Sequence, residues 1–474
     1  MGTVYATSKA KELNVTGRTP SGAPMVKPGA CSVDDESKPV KTVSLDGVMA
    51  RVDRVNFDGV SRTKVGVLQH SVRLLFTAQN FEDMIQKATI VREKLQSLGI
   101  FRNVAIHIDT SSGPKATPNG YEVTYEVVEM KRIFGGVTTQ VANSGEAVLV
   151  VNGIMPNLFG NAESLKAEYT YGSNRTNTIG CSITKPLFQR GNPVYTLSGF
   201  KNDSEWPMSG YKVIDKAILL DIAWNSIPNL MQNLQYEADW RQIGAGNRYA
   251  AFEVREDSGH TLKSSIRHIG TVDYRDSKVF PTCGSLVKFI SEYSGIGGNV
   301  SFLKNEGNLQ FNVPFLRREL IFQLSVNLGH IHEFDNVAVC DNFFLGGPMS
   351  LRGFEFRSVG PSSNNNFTGG KMYWSSGLHL YTPLPFKPGS GGFGDLFRSH
   401  IWINCGNCGE WDLSNVDEFI KTQKESMRVA AGLGLAFRLG QMARVEINYC
   451  FPLHCQESDK KVEGVQFGVG VHFV

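Results

Sequence analysis

The sequence predicts a small α+β domain followed by an all-β region of the membrane-barrel type. Three observations carry that prediction. No run of 18 apolar residues occurs anywhere, yet from about residue 132 onward short alternating runs recur between turns, as in strands with one face on lipid. The stretch Val465-Gln-Phe-Gly-Val-Gly-Val-His-Phe-Val474 keeps strict alternation throughout. Between about residues 45 and 131 the period changes to that of a helix and back.

Composition sets the outer bounds. Lys+Arg 48 against Asp+Glu 45 leaves a formal charge of +3 and a pI near 8.3, which makes no electrostatic case for nucleic acid. Mean hydropathy is −0.18, and a membrane strand tolerates this because only alternate residues are apolar. Gly 49 and Phe 29 are both high, which suits tight turns, close strand packing and lipid-facing aromatics. The opening Met1-Gly-Thr-Val-Tyr-Ala-Thr-Ser-Lys-Ala-Lys11 has no apolar core or cleavage site of a secretory signal. Ala6 departs from the myristoylation pattern that Gly2 invites. A barrel of this kind without an export signal is expected to be an organelle protein imported from the cytosol.

Residues 1–44 are rich in Lys, Ser, Gly, Pro and Thr and are expected to form a disordered tail. In residues 45–131, Arg51–Phe57 alternates, with Val55 and Phe57 on the face of Asp53, and turns at Asp58-Gly59. Asn80 is a candidate N-cap with Asp83 as a weak capping box. Phe81, Met84, Ile85, Ala88, Leu95 and Leu98 follow at helical spacing, and Gly99 is placed to end that helix. Val104, Ile106 and Ile108, then Tyr121–Val128, alternate as strands. The helix is expected to cover one face of that small sheet.

Residues 132–474 show no convincing long amphipathic helix. Strand-like runs begin at about Ile133–Val141 and Ala147–Gly153, then Glu163–Tyr171, Gly284–Tyr293 and Gln323–Leu328. Gly432–Leu439 and Ala443–Tyr449 follow, joined by a Gly440-Gln-Met hairpin signal. At about ten residues per strand plus turns, this length allows about sixteen strands. A soluble sandwich fits the same counting. The terminal alternation favours a barrel, with Val465, Phe467, Val469, Val471 and Phe473 on one face and Gln466, Gly468, Gly470 and His472 on the other.

Within that region, Phe343–Pro361 reads as a long loop. Gly346-Gly347-Pro348 precedes Leu351-Arg352-Gly353-Phe354, which sets one cation between two large apolar side chains, with a glycine where the backbone must turn. On Arg444-Val-Glu-Ile-Asn-Tyr449, if Val445, Ile447 and Tyr449 face lipid, Glu446 faces the lumen. Cys405-Gly-Asn-Cys408 has redox or zinc spacing. A zinc site needs a second pair, and Cys450 and Cys455 are wrongly separated for one. With no Ser-His-Asp order, phosphate-binding glycine loop or metal tetrad, neither an enzyme nor a cofactor is expected.

The residues Phe343-Phe-Leu-Gly-Gly-Pro-Met-Ser-Leu-Arg-Gly-Phe354 resemble the loop signature of the bacterial surface antigen (BamA) superfamily of membrane barrels. In that family the loop folds back into the lumen and its arginine contacts the inner wall. Leu98-Gly-Ile-Phe-Arg-Asn-Val-Ala-Ile-His-Ile-Asp109 resembles a polypeptide-transport-associated (POTRA) domain. Gln466-x-Gly468-x-x-Val471-x-Phe473 resembles the β-signal of mitochondrial outer-membrane barrels. Together with the phrases LHLYTPLPF, GGFG and GVQFG, these are similar to the barrel family at the centre of the mitochondrial sorting and assembly machinery.

The resemblance implies an about 16-stranded transmembrane β-barrel in the mitochondrial outer membrane, multi-pass, with one N-terminal α+β POTRA domain facing the intermembrane space. It implies insertion of β-barrel precursors, among them the import pore and the anion channel. It also implies metaxins and the cristae-organising (MICOS) complex as partners, membrane lipids around the wall, and no nucleic acid or cofactor. Bacterial relatives carry an acid opposite the loop arginine. Here Asn404 stands in that place, and an amide offers an acceptor but no countercharge, so Glu446 is the expected substitute partner. A lateral gate is expected between the first strand, weakened by Gly135 and Gly136 and bearing Thr138, and the last strand with Gln466, Gly468, Gly470, Val471 and Phe473. A conducting channel of the same superfamily, a membrane-contact scaffold and a thiol or zinc enzyme at Cys405 and Cys408 are the competing readings. The single POTRA unit and the terminal signal favour insertion.

Overall fold

The structure is a computed structural model that describes residues 3–7, 48–112, 116–141, 146–173, 176–187, 191–227, 229–315, 320–384, 393–410, 416–440, 443–470 and 473–474. The chain divides into two compact units. One is Met1–Arg132 with Pro156–Glu163, and the other is Ile133–Met155 with Ser164–Val474.

The first unit holds β1 (Thr3–Thr7), β2 (Arg51–Asp58), α1 (Val65–Val72), a 3₁₀ turn (Arg73–Thr77), α2 (Phe81–Ser97), β3 (Phe101–Thr110) and β4 (Gly120–Glu129). Its sheet runs β1-β2-β4-β3. Thr3–Thr7 thus departs from the expected tail, because it pairs in parallel with Arg54–Asp58 of β2. Residues 8–44 of that tail lie outside the described residues. A bulge between Val52 and Arg54 breaks the alternation. Val52 therefore joins Val55 and Phe57 in the core, and Asp53 accepts from Thr117 N–H at 2.9 Å.

Met84, Ala88, Val91 and Leu95 form the buried stripe of α2, and Phe57 stacks on Tyr125 at 5.4 Å. Asn80 makes no side-chain cap. Asp83 instead reaches back to the N–H of Gln79, at 3.2 Å. Gly99 follows the helix at φ +67°, the left-handed step at which a side chain is disfavoured.

Glu129 organises the turn after β2. Its carboxylate accepts from the hydroxyls of Ser61 and Thr63, both at 2.7 Å, from the N–H groups of Arg62 and Thr63, and from Arg62 Nε at 3.2 Å. Burial alone pushes this carboxyl's pKa up, but those donors overcome it and hold the value at about 2. A folded pKa below the unfolded one gives stability that is full above the ordinary carboxylate range and is lost as pH falls toward 2. Glu129→Ala strands several donors, and a loss of about 1–3 kcal/mol is expected. Amide exchange at Arg62 and Thr63 checks this, since unchanged protection in the variant would dismiss the hub.

The second unit is a sixteen-stranded antiparallel sheet. Its strands are β5 (Phe134–Val141), β6 (Ala147–Pro156), β7 (Ser164–Gly172), β8 (Asn177–Pro186), β9 (Val194–Trp206), β10 (Tyr211–Ile227), β11 (Leu230–Ala245), β12 (Gly259–Asp273), β13 (Gly284–Ser294), β14 (Phe302–Phe315) and β15 (Leu320–Glu333). After the long loop come β18 (Met372–Pro383), β19 (Phe397–Gly409), β20 (Arg428–Leu439), β21 (Ala443–His454) and β22 (Gly464–Gly470). The two-residue strands β16 (Ser362–Ser363) and β17 (Asn366–Phe367) form a separate hairpin inside that loop.

Each strand pairs with its sequence neighbour in this set, and β5 and β22 stand at the two ends of the order. Alternation sorts the faces. On β21, Ile447, Tyr449 and Phe451 are exposed while Arg444, Glu446, Asn448 and Cys450 are buried. An apolar outside with a polar inside is the arrangement of a membrane barrel, and no helix among the described residues is long and apolar enough to cross a membrane.

Three features differ from the sequence reading. Short helices α3 (Phe252–Glu256) and α4 (Val416–Ser426) occur in the β11–β12 and β19–β20 connections. The last strand ends at Gly470 rather than at Val474. Phe473 is not on the lipid face of that strand but is 5% exposed, with Gly468 and Gly470 beside its ring.

Candidate functional site: the inward loop and its anchors

The connection between β15 and β18 packs its apolar residues against the inner wall. Phe343, Leu345, Leu351, Phe354 and Val359 share one core with Trp402 of β19, Ala430 of β20 and Cys450 of β21. At Gly353 φ is +84° and a Cβ would stand 2.9 Å from that of Ala430. Only glycine therefore lets the backbone turn this close to β20.

Arg352 beside it has no exposure. Its Nη2 donates to Glu446 Oε2 at 2.8 Å and its Nε donates to the same oxygen at 3.2 Å. Nη1 donates to the carbonyl oxygen of Val474 and lies 3.4 Å from His379 Nε2. The guanidinium also sits 5.6 Å from the ring centre of Trp402 and 5.5 Å from that of Phe473, within cation–π range. Glu446 takes a further hydrogen bond from Asn448 Nδ2 at 3.2 Å, and Arg444 Nε stands 3.0 Å from its other oxygen. Asn448 thus adds a hydrogen bond to the oxygen that Arg352 holds, and Arg444 adds a second countercharge beside the buried pair.

Asn404 does not meet the guanidinium. With its amide turned to satisfy both ends, its oxygen accepts from the backbone N–H of Arg352 at 2.7 Å and its nitrogen donates to Ala430 O at 3.1 Å. Glu446 thus meets the charge, and Asn404 holds the main chain.

The other end of the loop has an anchor that sequence reading missed. Asp341 Oδ1 accepts from Arg241 of β11 at 2.9 Å and lies 3.6 Å from Lys263 of β12. Lys304 of β14 donates to the Asp341 carbonyl at 2.8 Å. Arg357 stacks between Trp206 and Phe344, at 3.7 and 4.0 Å, and donates to Tyr211 OH at 2.9 Å. Nothing local in Val339-Cys-Asp341 announces this, because its three cations come from distant strands.

The residues assigned to the gate fall into two groups. From Gly135 to Gln140 every residue of β5 is exposed, Gly136 and Thr138 included. On β22, Gln466 and Gly468 are buried against the loop. Val471 lies outside the described residues. Cys405 and Cys408, three apart on β19, point to opposite faces. The Cys408 thiol contacts Phe343 O at 3.3 Å, and among the described residues no cluster of metal-ligating side chains occurs.

Residues 157–473 match the Omp85 superfamily domain. Over the whole of both chains the sequence is 38% identical to the sorting and assembly machinery component 50 homolog A of Xenopus laevis. The chain belongs to this family. It is 38% identical to the Homo sapiens homolog over 89% of this chain and 90% of that one, and 34% identical to a SAM50-like protein of Drosophila melanogaster over 91% and 96%. Among solved structures, BamA from Haemophilus ducreyi lacking POTRA domains 1–3 is similar in fold. The TM-score is 0.71 at 17% identity, over 89% of this chain and 84% of that one.

Proposed function

We propose that this protein inserts and folds β-barrel precursors in the mitochondrial outer membrane by opening between β5 and β22. The family membership supports the general role, since the relatives are named as parts of a sorting and assembly machinery. The observation that carries the gate is the state of β5. It stands at one end of the strand order and both its faces are exposed from Gly135 to Gln140. Two adjacent glycines near its start add no packing to hold it.

Once the seam parts, unpaired N–H and C=O groups of β5 are strongly unfavourable in lipid. A precursor's terminal strand satisfies them by strand addition. Later strands then add in sequence, and burial in lipid drives the step without a nucleotide. The loop filling part of the lumen speaks against an open solute channel. Depleting the protein and following newly imported barrel precursors tests the role. Normal insertion in the depleted membrane would reject it.

In this proposal the first unit is the POTRA domain, lies in the intermembrane space and assists precursor handling. Metaxins and the cristae-organising complex are its partners in membrane organisation. In intact mitochondria a protease added outside is expected to leave residues 48–132 uncut, and rupture of the outer membrane is expected to expose them. Cleavage before rupture would put the unit in the cytosol. Deleting residues 45–125 is expected to leave a folded barrel with slower insertion.

A further inference from the structure

We propose that the outer wall of the barrel carries a site for one glycerophospholipid, with an acyl chain in a cleft over Gly307 and its ester or phosphate oxygens on neutral donors beside α4. The site lies on β13–β15 and β18, in the middle of the strand order, on the opposite face of the wall from the loop.

One row of residues crosses this part of the outer face. Phe289 of β13, Gly307 of β14, Leu328 of β15, Trp374 of β18 and Asn407 of β19 are paired in turn. They share parity with the exposed Phe311, Phe322 and Ile403, so the row faces lipid. Phe289 and Leu328 are each 49% exposed, and Gly307 between them has no side chain, which leaves a cleft one side chain wide. A glycine inside a strand marks such a place of close approach. The helix α4 forms the side of the cleft. Gln423 Oε1 accepts from Trp374 Nε1 at 2.7 Å and from Asn407 Nδ2 at 3.2 Å, and Ser426 Oγ accepts from Asn407 Nδ2 at 2.7 Å. Asn407 is therefore 1% exposed although its row faces outward, because the helix lies against the outside of the wall. With Phe419 of α4, these residues bound about 490 Å³, within the range of small-ligand sites.

The neighbouring rows set the polarity of the occupant. Toward the end of the barrel where the loop begins, Asn305 pairs with His330. Toward the other end, Val287, Leu309 and Val326 pair in turn. The cleft is thus polar at its rim and apolar beyond it, the order of a lipid's interfacial end and its chain. Gln423 adds a donor at the rim. Its Nε2 is buried without a partner, an unfavourable state that an oxygen acceptor relieves. The ester and phosphate oxygens of a glycerophospholipid are such acceptors. Among the described residues no lysine or arginine lines the cleft, so the net charge of the headgroup is not read. A partner's membrane helix does not fit. With its side chains it is about 10–12 Å across, whereas Phe289 and Leu328 stand only two strand spacings of about 4.8 Å apart, and their side chains fill part of that width.

The test uses the full chain in nanodiscs of phosphatidylcholine that carries a diazirine in one acyl chain. Adducts are expected to concentrate at Phe289, Leu328 and Phe419. Gly307→Leu is expected to lower them roughly tenfold, the scale of about two methylenes losing their burial, while adducts at the exposed Ile401 and Leu433 stay constant. That change is compatible with the fold, since a Cβ at 307 stands 3.4 Å from Leu328 Cδ1, an ordinary contact, and leucine suits a lipid-facing strand. Asn305→Val, which removes a rim donor without filling the cleft, is expected to lower the same adducts. Unlabelled phosphatidylglycerol is expected to compete no better than unlabelled phosphatidylcholine, and a strong preference for the anionic lipid would overturn recognition by neutral donors. Adducts spread evenly over the exposed wall, or unmoved by Gly307→Leu, would leave only bulk lipid and overturn the site. A photoreactive residue in place of Leu328 in intact mitochondria is expected to label phospholipid. Labelling of another protein there instead would give the cleft to a partner chain and overturn the lipid assignment.

Discussion

Arg352→Ala is expected to destabilise the barrel by about 3–5 kcal/mol, the range for removing one partner of a buried ion pair, and to abolish most precursor insertion. The guanidinium is fully buried and gathers Glu446, Val474 and two aromatic rings around one point. Its loss leaves the Glu446 carboxylate buried beside Arg444, whose Nε at 3.0 Å is the only cation left near it among these contacts. It also frees the carbonyl of Val474, so the segment after β22 is held to the loop by the hydrogen bond from Val474 N–H to Met349 O without the guanidinium's contact. Arg352→Lys keeps the charge but not the fork of donors, and an intermediate loss is expected.

A charge swap does not rescue. Glu446→Arg sets a second guanidinium beside Arg444, so the double exchange with Arg352→Glu should be worse than Glu446→Gln alone. Heat-modifiable gel mobility and insertion of an imported precursor measure the two effects. A variant with unchanged stability and full insertion would reduce the loop arginine to an incidental contact.

Glu446 was legible because parity on β21 is strict and only one acid lies on the inward face. The helix α2 and its end at Gly99 were legible because their signals are local. The long-range features were not. The bulge at Val52 silently inverts parity. Glu129 draws its donors from more than sixty residues upstream. The pattern from Val465 to Val474 alternates without a break, so nothing in it marks the place where β22 stops and Phe473 turns inward. At its buried position Phe473 meets two cations. The Phe473 ring lies 4.4 Å from the guanidinium of Arg444 and 5.5 Å from that of Arg352, and this attraction is set by residues on other elements. The glycines of β22 were read as weak packing, but Gly468 also makes room for Pro348.

That second role decides how the seam must be locked. A disulfide between β5 and β22 is expected to stop precursor insertion, and reduction is expected to restore it. The inward pair, Thr138 with Gly468, is a poor choice because a side chain at 468 meets Pro348 at 2.8 Å and would disturb the loop itself. The outward residues avoid this. Val137 is 65% exposed, and Val465 and Phe467 are 54% and 64% exposed. A cysteine at Val137 combined in turn with cysteines at Val465, Phe467 and Val469 samples the registers within reach of a disulfide, whose Cα atoms must lie about 4.4–6.8 Å apart. Cys181 and Cys455, the exposed native thiols among the described residues, are first changed to serine. The locked form keeps β5 paired or crowded, so a precursor strand finds no free N–H and C=O groups to join, and insertion is expected to fall to the level of membranes lacking the protein. Because the link lies on the lipid face, the hydrogen bonds of Gln466 and Arg352 to the loop remain intact, and lost activity cannot be blamed on a displaced loop. Full activity in a form shown by gel shift to be locked would mean that precursors enter elsewhere in the wall.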